Sequence, residues 1–422
     1  MNPDRCRPRA LTAVALLCGM AGVAPAGAQS SPWYVGAAQG FTYENNLYRL
    51  GRDTPTPAGL SRSDTVSTTS LLAGIDQPIS RQRLFGNVSL RTNRYLDNTQ
   101  QNNQGYGLNL GLDWATIERL TGNLNFSANQ SLARFNANEF LTGIETRHNI
   151  EDARQFGATV AIGVVTRLSA EATYNWRSVR YSAPEYAFRE NDQSSLSAGL
   201  RYRPSGVSSF SAGLRQTRGE YPRFGRTVAG DFIADSFRRN DLYLNADWTP
   251  GGASSADARL SFGRTAYDVA TERNLSGVSG ALGWNWRPTG KLKFRTALSR
   301  DSGIDSYFFD TGLVNGVADY SRSTTALRLR VDYEVSAKIG THATLTQSSR
   351  SLTHRATPAG GTPIVNTGSD RGTALAIGAS WAPTRNTQLS CDLSQETRSG
   401  AATLSVPLSI GTVGCFGQIL LR

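Results

Sequence analysis

The chain has 422 residues, with 44 Lys and Arg against 33 Asp and Glu, three His and four Cys, giving a net charge of +11 at neutral pH. Mean hydropathy is -0.35, and after Ala28 there is no apolar run of the ~20 residues that a membrane helix needs. Those values exclude a helical membrane protein. They suit a soluble exported protein and a barrel equally, because only half of each barrel strand touches lipid.

The N-terminus reads as a secretory leader. Arg5, Arg7 and Arg9 precede an apolar stretch from Ala10 to Ala24, and Ala26-Gly27-Ala28 fits the small-x-small cleavage rule. Residues 1–28 are therefore expected to be a signal peptide, and 29–422 one domain. Leu17 sits where lipoprotein processing wants a small residue, which argues against lipidation of Cys18. Cys6 and Cys18 leave with the leader. Cys391 and Cys415 remain, an even pair in an oxidising compartment: one possible disulfide, or two small buried residues. An exported chain without a recognition motif is not expected to bind nucleic acid. The arginine excess reads either as a generally basic surface or as a path for an anion.

Along the chain, period-two alternation recurs and no helical period is sustained. Leu108, Leu110, Leu112 and Trp114 alternate with Asn109, Gly111 and Asp113; Leu196, Ala198, Leu200 and Tyr202 with Ser197, Gly199, Arg201 and Arg203. Leu242, Leu244, Ala246 and Trp248 follow the same rule, and LRLRVDYE (Leu327 to Glu334) keeps it strictly. Brief turns at RPSG (Arg203 to Gly206), TPGG (Thr249 to Gly252), RPTG (Arg287 to Gly290) and PTRN (Pro383 to Asn386) take turns with long polar stretches. The polar stretches, read as loops, are NANEFLTGIETRHNIED after Phe135, RFGRTVAGDFIADS after Pro222, YFFDTGLVNGVADY after Ser306 and HRATPAGGTPIVNTGSD after Thr353.

Trp114, Tyr202, Trp248, Trp286, Tyr333 and Trp381 each close a strand before a short turn, on the apolar parity. A soluble core gives no reason for aromatics to collect at one end; a membrane boundary does. Their spacing of roughly 40 to 50 residues divides the chain into about nine hairpins, hence about eighteen strands. The expected spans lie near 33–46, 66–76, 83–97, 105–116, 121–135, 155–166, 168–182, 193–203, 207–220, 239–249, 255–268, 276–287, 291–302, 323–335, 338–350, 372–382, 387–397 and 411–422. The predicted fold is all-β: an antiparallel transmembrane barrel of the outer membrane, with long extracellular loops, short periplasmic turns and both termini in the periplasm. Nothing else in the chain could cover so many greasy faces, so Leu327, Leu329 and Val331 should meet lipid. Arg328, Arg330 and Asp332 then face the lumen.

Three segments carry a resemblance: YENNLYRL (Tyr43 to Leu50), RSDTVSTTSLLAGIDQPISRQRL (Arg62 to Leu84) and GLDWATIERLTGNLNFSANQSLARF (Gly111 to Phe135). With AGLRYRPSGVSSFSAGLRQTRGEYP (Ala198 to Pro222), they resemble EpsL-type outer-membrane proteins of exopolysaccharide clusters associated with exosortase B. The resemblance implies a barrel in a polysaccharide context and no active site. One departure is the end, FGQILLR, which lacks the terminal aromatic usual in barrel-assembly signals.

Lumen parity collects Arg83, Arg91, Arg177, Arg201, Arg203, Arg215, Arg259, Lys293, Arg295, Arg328 and Arg330, opposed by Asp113, Glu171, Asp241, Asp247, Asp257, Asp332 and Asp392. Such charges either pair across the wall or line a route for carboxylate- or phosphate-bearing sugar polymer, which guanidinium binds bidentately. Inward Gly111, Gly163, Gly199, Gly213, Gly283 and Gly378 should leave space. Loop aromatics Tyr186, Phe188, Tyr307, Phe308 and Phe309 read as an outer girdle or as sugar-stacking platforms. His148 and His354, read as loop residues, and lumenal His342 lack partners at catalytic spacing, and no metal-ligand cluster stands out. The expectation is a non-enzymatic barrel without cofactor or metal, whose partners are outer-membrane lipid, a polysaccharide chain and periplasmic export proteins. Its role is polysaccharide conduit, with a general or substrate-specific porin and a non-conducting docking barrel as alternatives.

Overall fold

Alternating side chains point to opposite faces of a pleated strand, and eighteen such segments form a single sheet. The computed structural model describes residues 31–422 except 117–118, 136–145, 164–165, 227–230, 311–314, 359–363 and 401–403; at 226, 272, 303–310, 315–321 and 355–358 it describes the backbone alone. The leader expected over 1–28 lies outside the described residues. The strands are β1 (Trp33–Glu44), β2 (Asp64–Ile79), β3 (Gln82–Tyr95), β4 (Asn103–Ala115), β5 (Leu120–Leu132) and β6 (Ile150–Ile162). Then come β7 (Leu168–Tyr181), β8 (Asn191–Ser205), β9 (Ser208–Arg226), β10 (Phe232–Gly251), β11 (Ser254–Tyr267) and β12 (Leu275–Trp286). The last six are β13 (Leu292–Asp310), β14 (Asn315–Glu334), β15 (Ile339–Pro358), β16 (Ile364–Trp381), β17 (Thr387–Arg398) and β18 (Leu408–Leu421). Each strand pairs antiparallel with its chain neighbours. β1 also pairs with β18, from Val35↔Leu421 to Glu44↔Thr412, so the sheet closes and keeps no edge.

Closure decides which face is oily. The ladder sets Leu282, Leu298 and Leu327 in one outward row and Trp286, Phe294 and Val331 in another. Leu282 is 52% and Leu298 44% exposed, so no core covers them and their burial comes from hydrocarbon. The alternation of Leu327 to Glu334 is thus apolar outside and charged inside. Trp114, Tyr202, Trp248, Trp286, Tyr333 and Trp381 all face outward beside short turns, and Trp33 joins them where β1 begins. Trp284, Trp286 and Phe294 stack there, with ring centroids 5.8 and 5.3 Å apart.

Cys391 and Cys415 are direct ladder partners on β17 and β18, Cα atoms 4.1 Å apart, and are disulfide-bonded on the outer face.

The wall is uneven in height. Strands β17, β18 and β1 to β8 run 12 to 16 residues, whereas β9, β10 and β13 to β16 run 18 to 20. Three stretches read as loops are largely strand. RFGRTVAGDFIADS is strand up to Arg226 and again from Phe232; YFFDTGLVNGVADY is strand to Asp310 and from Asn315; and HRATPAGGTPIVNTGSD is strand to Pro358 and from Ile364. Beyond the bilayer both faces of a strand meet water, so the greasy alternation that marks a strand disappears while its hydrogen bonds persist.

Candidate functional site

Ladder register points ten of the eleven predicted cations into the lumen, and Arg203 lies in the register shift that ends β8. Six bond to acids. Arg83 binds Asp76 at 2.5 Å, not its cross-strand partner Asp113. Arg201 reaches Glu171 at 3.1 Å, Arg215 reaches Asp241 at 3.2 Å and Lys293 reaches Glu334 at 3.3 Å. Arg295 and Arg330 stand directly opposite on β13 and β14, and Asp332 bridges them at 2.7 and 2.8 Å. Arg203 is held through its backbone, its amide donating to the Arg167 carbonyl at 2.7 Å.

The other four have no acid. Arg91 donates only to the Asn129 Oδ1, at 3.0 Å. The side chains of Arg177, Arg259 and Arg328 make no hydrogen bond or ion pair with a described residue. A guanidinium cannot shed its charge, so these three hold fixed positive charge toward the bore.

The inward glycines do another job than leaving space. At Gly111 a Cβ would strike the Phe85 ring, at Gly199 and Gly213 the Tyr243 phenol, and at Gly283 the Asp257 carboxylate. Each glycine is a slot in which a neighbour's side chain lies flat against the wall. Gly378 is the most telling. His342 and Asp392, on the two strands flanking it, meet across it with Nε2 3.0 Å from Oδ1. Gly163 is not inward at all: it sits in the β6–β7 turn at φ +77°, a conformation glycine adopts without cost.

At the long-loop end, the β1–β2 loop (residues 45–63) folds into the barrel. Leu47, Tyr48 and Leu50 are buried with Phe135, the Tyr48 and Phe135 rings 4.8 Å apart. The Tyr48 hydroxyl donates to Asn98 Oδ1 at 3.0 Å, and Asn46 Nδ2 to the Leu50 carbonyl at 2.9 Å. Asp64 accepts from the Leu96, Asp97 and Asn98 amides at 2.9, 3.1 and 2.7 Å. Burial pushes its carboxyl up, but these donors and the Asn98 side chain outweigh that and hold it below the ordinary carboxylate range. Glu396 of β17 accepts from Arg49 at 3.5 Å and from Arg134 at 3.4 Å. Arg134 lies just past β5, six strands around the wall from β17. That ion pair is a chord across the barrel.

A second lock joins β10 to the β11–β12 loop. Arg273 and Asp235 pair at 3.2 Å with side chains 1% and 0% exposed, and the guanidinium sits 4.1 Å from the Tyr267 ring centroid and 5.2 Å from that of Tyr221. On the tall wall, Arg350 pairs with fully buried Asp370.

Sequence reasoning missed Arg49, Arg134, Asp235, Arg273, Arg350 and Glu396. Of these, Arg350 and Glu396 lie within the expected spans 338–350 and 387–397, and Asp235 was findable by extending strand parity past the greasy segment. His354 belongs to β15, not a loop. Tyr186 is 6% exposed, packed on Tyr181 at 5.6 Å between ring centroids, so it is neither girdle nor platform. Phe188, in the same short helical turn, is half-buried. The side chains of Tyr307, Phe308 and Phe309 lie outside the described residues.

No protein-family model and no curated protein sequence matches the chain. Among solved structures it is similar to the outer membrane protein opdK from Pseudomonas aeruginosa, at TM-score 0.47 and 12% identity over 92% of this chain and 99% of that one. It is also similar to the outer membrane channel DcaP of Acinetobacter baumannii, at 0.43 and 11% over 92% and 96%. The FrpB iron transporter from Neisseria meningitidis, F5-1 variant, gives 0.45 and 7% over 93% and 81%. Each likeness is one of architecture.

Proposed function

We propose that this barrel is an outer-membrane conduit acting in exopolysaccharide biosynthesis and export, of the EpsL type, and that it favours anionic chains. The observation that carries the reading is the set of unpaired inward arginines: Arg177, Arg259 and Arg328 face the bore without a carboxylate partner among the described residues. Their guanidinium forks suit carboxylate or phosphate on a passing polymer, and inward-facing charges set selectivity in barrels. The role is transport, not catalysis, with the short turns and both termini in the periplasm and export proteins docking there.

The test is conductance of the purified barrel in planar bilayers. An anion-selective reversal potential and block by the host's own polymer, but not by unrelated sugars, are expected. Selectivity without polymer block makes it a general porin. A clean deletion strain should lose surface polymer and retain precursor in the periplasm.

The Arg134–Glu396 chord and the inward β1–β2 loop favour a second reading, a capped barrel that docks other secretion proteins without conducting. Absence of any conductance would select it.

A further inference from the structure

We infer that the outer face of β9, β10 and β11 carries a binding site for a phosphate-bearing lipid, built from Arg218, Arg238 and Arg264. This site is on the opposite face from the bore and stands whether or not the barrel conducts.

The residues converge through the ladder. Arg218 and Arg238 are direct cross-strand partners, and Arg264 pairs with Asn240, one step diagonal from Arg238. All three are exposed and outward. Arg218 Nε donates to Gln216 Oε1 at 3.2 Å, while Arg238 and Arg264 bond to no described residue. Side chains directly opposite on one face have Cβ atoms about 5 Å apart, and like charges there destabilise the pair. Glu220, the nearest acid on the β9 outer face, stands opposite Ser236 and Asp192; Asp192 is already held by Arg180. Three guanidinium groups in so small an area call for an anion with several oxygens.

Position says what bears it. Arg218 is eight residues along β9 from Phe210, and Arg238 ten along β10 from Trp248. At ~3.3 Å per residue and a tilt of about 40°, that is a rise of roughly 20 to 25 Å, the height of a barrel's apolar band. The arginines therefore stand at the margin of the bilayer opposite the short turns. Directly below lies an outward row of Leu214, Leu242 and Phe262, exposed by 67%, 45% and 43%. Gln216 and Asn240, hydrogen-bonded at 3.1 Å, separate that shelf from the charges. Acyl chains fit the shelf, and headgroup phosphates fit the arginines.

The experiment titrates the purified mature barrel in detergent with an acylated disaccharide bisphosphate, with the same lipid dephosphorylated, and with inorganic pyrophosphate. Binding is followed by native mass spectrometry. The phosphorylated lipid should bind at least about tenfold tighter than the dephosphorylated one, since each bidentate phosphate contact is charge-assisted. Pyrophosphate should compete only at far higher concentration. The triple variant R218Q/R238Q/R264Q should bind both lipids alike, while R385Q, in the β16–β17 turn at the other end, keeps the preference. Heat-modifiable migration checks that each variant is folded; should the triple variant fail, R238Q alone replaces it. Equal binding of the two lipids by the native barrel, or an undiminished preference in the folded variant, overturns the assignment. Pyrophosphate competing as well as the lipid overturns it too, in favour of a soluble anion.

Discussion

Arg273 and Arg259 stand fourteen residues apart on neighbouring parts of the wall, and the protein treats them in opposite ways. Arg273, in the cap, is 1% exposed, paired with Asp235 and enclosed by the rings of Tyr221, Phe224 and Tyr267. Arg259, in the bore, has no bonded partner among the described residues. The same contrast holds between Arg350, locked on Asp370, and Arg328, which is free. Where chain segments fold over the barrel end, charge is matched and desolvated, so it fastens the cap. Within the bore, Arg177, Arg259 and Arg328 are left without an acid among the described residues, so their charge remains available to something that passes.

The sharpest way to break this comparison is to remove one partner in the cap. Asp235→Ala leaves a guanidinium buried without its carboxylate, and breaking such a pair costs about 3–5 kcal/mol. Urea unfolding of the barrel in lipid vesicles, followed by tryptophan fluorescence, should show a loss of that size. A loss below about 1 kcal/mol, the range of solvated surface pairs, would mean that Arg273 is as wet as Arg259 and that cap and bore do not differ.

Next in size are the glycine slots, which belong to the bore wall. Gly111→Ala drives a Cβ into the Phe85 ring, whereas Gly206, in the β8–β9 turn, has no atom within 4 Å of its would-be Cβ. Overpacking of this kind costs about 1–3 kcal/mol, so Gly111→Ala should lower the urea midpoint and Gly206→Ala should leave it nearly unchanged. Equal midpoints would show that Phe85 is loosely held.

These two regions were unequally legible in the sequence. All eighteen strands were readable, because lipid on one side and water on the other impose period two through Leu327 to Tyr333 and its counterparts. The lumen cations followed from the same parity. The cap did not. Asp235 sits where β10 leaves the bilayer and loses its greasy face, so its segment looked like a loop, and the partner of Arg350, Asp370, lies beyond the expected strand in another such stretch. The Arg134–Glu396 chord joins residues 262 apart in sequence, which no local pattern encodes. Tyr43 to Leu50 was conspicuous as a motif, yet only the folded chain shows why: Asn46, Leu47, Tyr48 and Leu50 are the buried part of the cap.

Asp64 gives the cap a pH dependence that the bore arginines lack. Its folded pKa is depressed, so its stabilising contribution is complete above the unfolded aspartate value of about 3.9. That contribution is lost as pH falls below it and through the folded value. Amide hydrogen exchange at Leu96 and Asn98, corrected for intrinsic rates, should accelerate as the pH falls below that unfolded value of about 3.9. Asp64→Asn should abolish the pH step. A step unchanged in the variant would assign it to another carboxylate.

The smallest effect on stability is expected where the functional claim is largest. Arg259 and Arg328 give no bond to a described residue, so the double variant R259Q/R328Q removes charge without orphaning an acid, and surface-like substitutions of that kind stay within about 0.5 kcal/mol. Its urea midpoint should match the parent's. Its reversal potential in a salt gradient should move toward cations, because two fixed positive charges have left the lumen while the neutralised pairs remain. Asp241 supplies the opposing control. It is fully buried and binds Arg215 and Arg239 together, so Asp241→Asn should destabilise the wall and release two cations toward the bore, shifting selectivity toward anions. If R259Q/R328Q unfolds more readily than the parent, these arginines are fasteners after all. If it leaves both midpoint and reversal potential unmoved, they are idle, and the free charge in the bore does not select what crosses it.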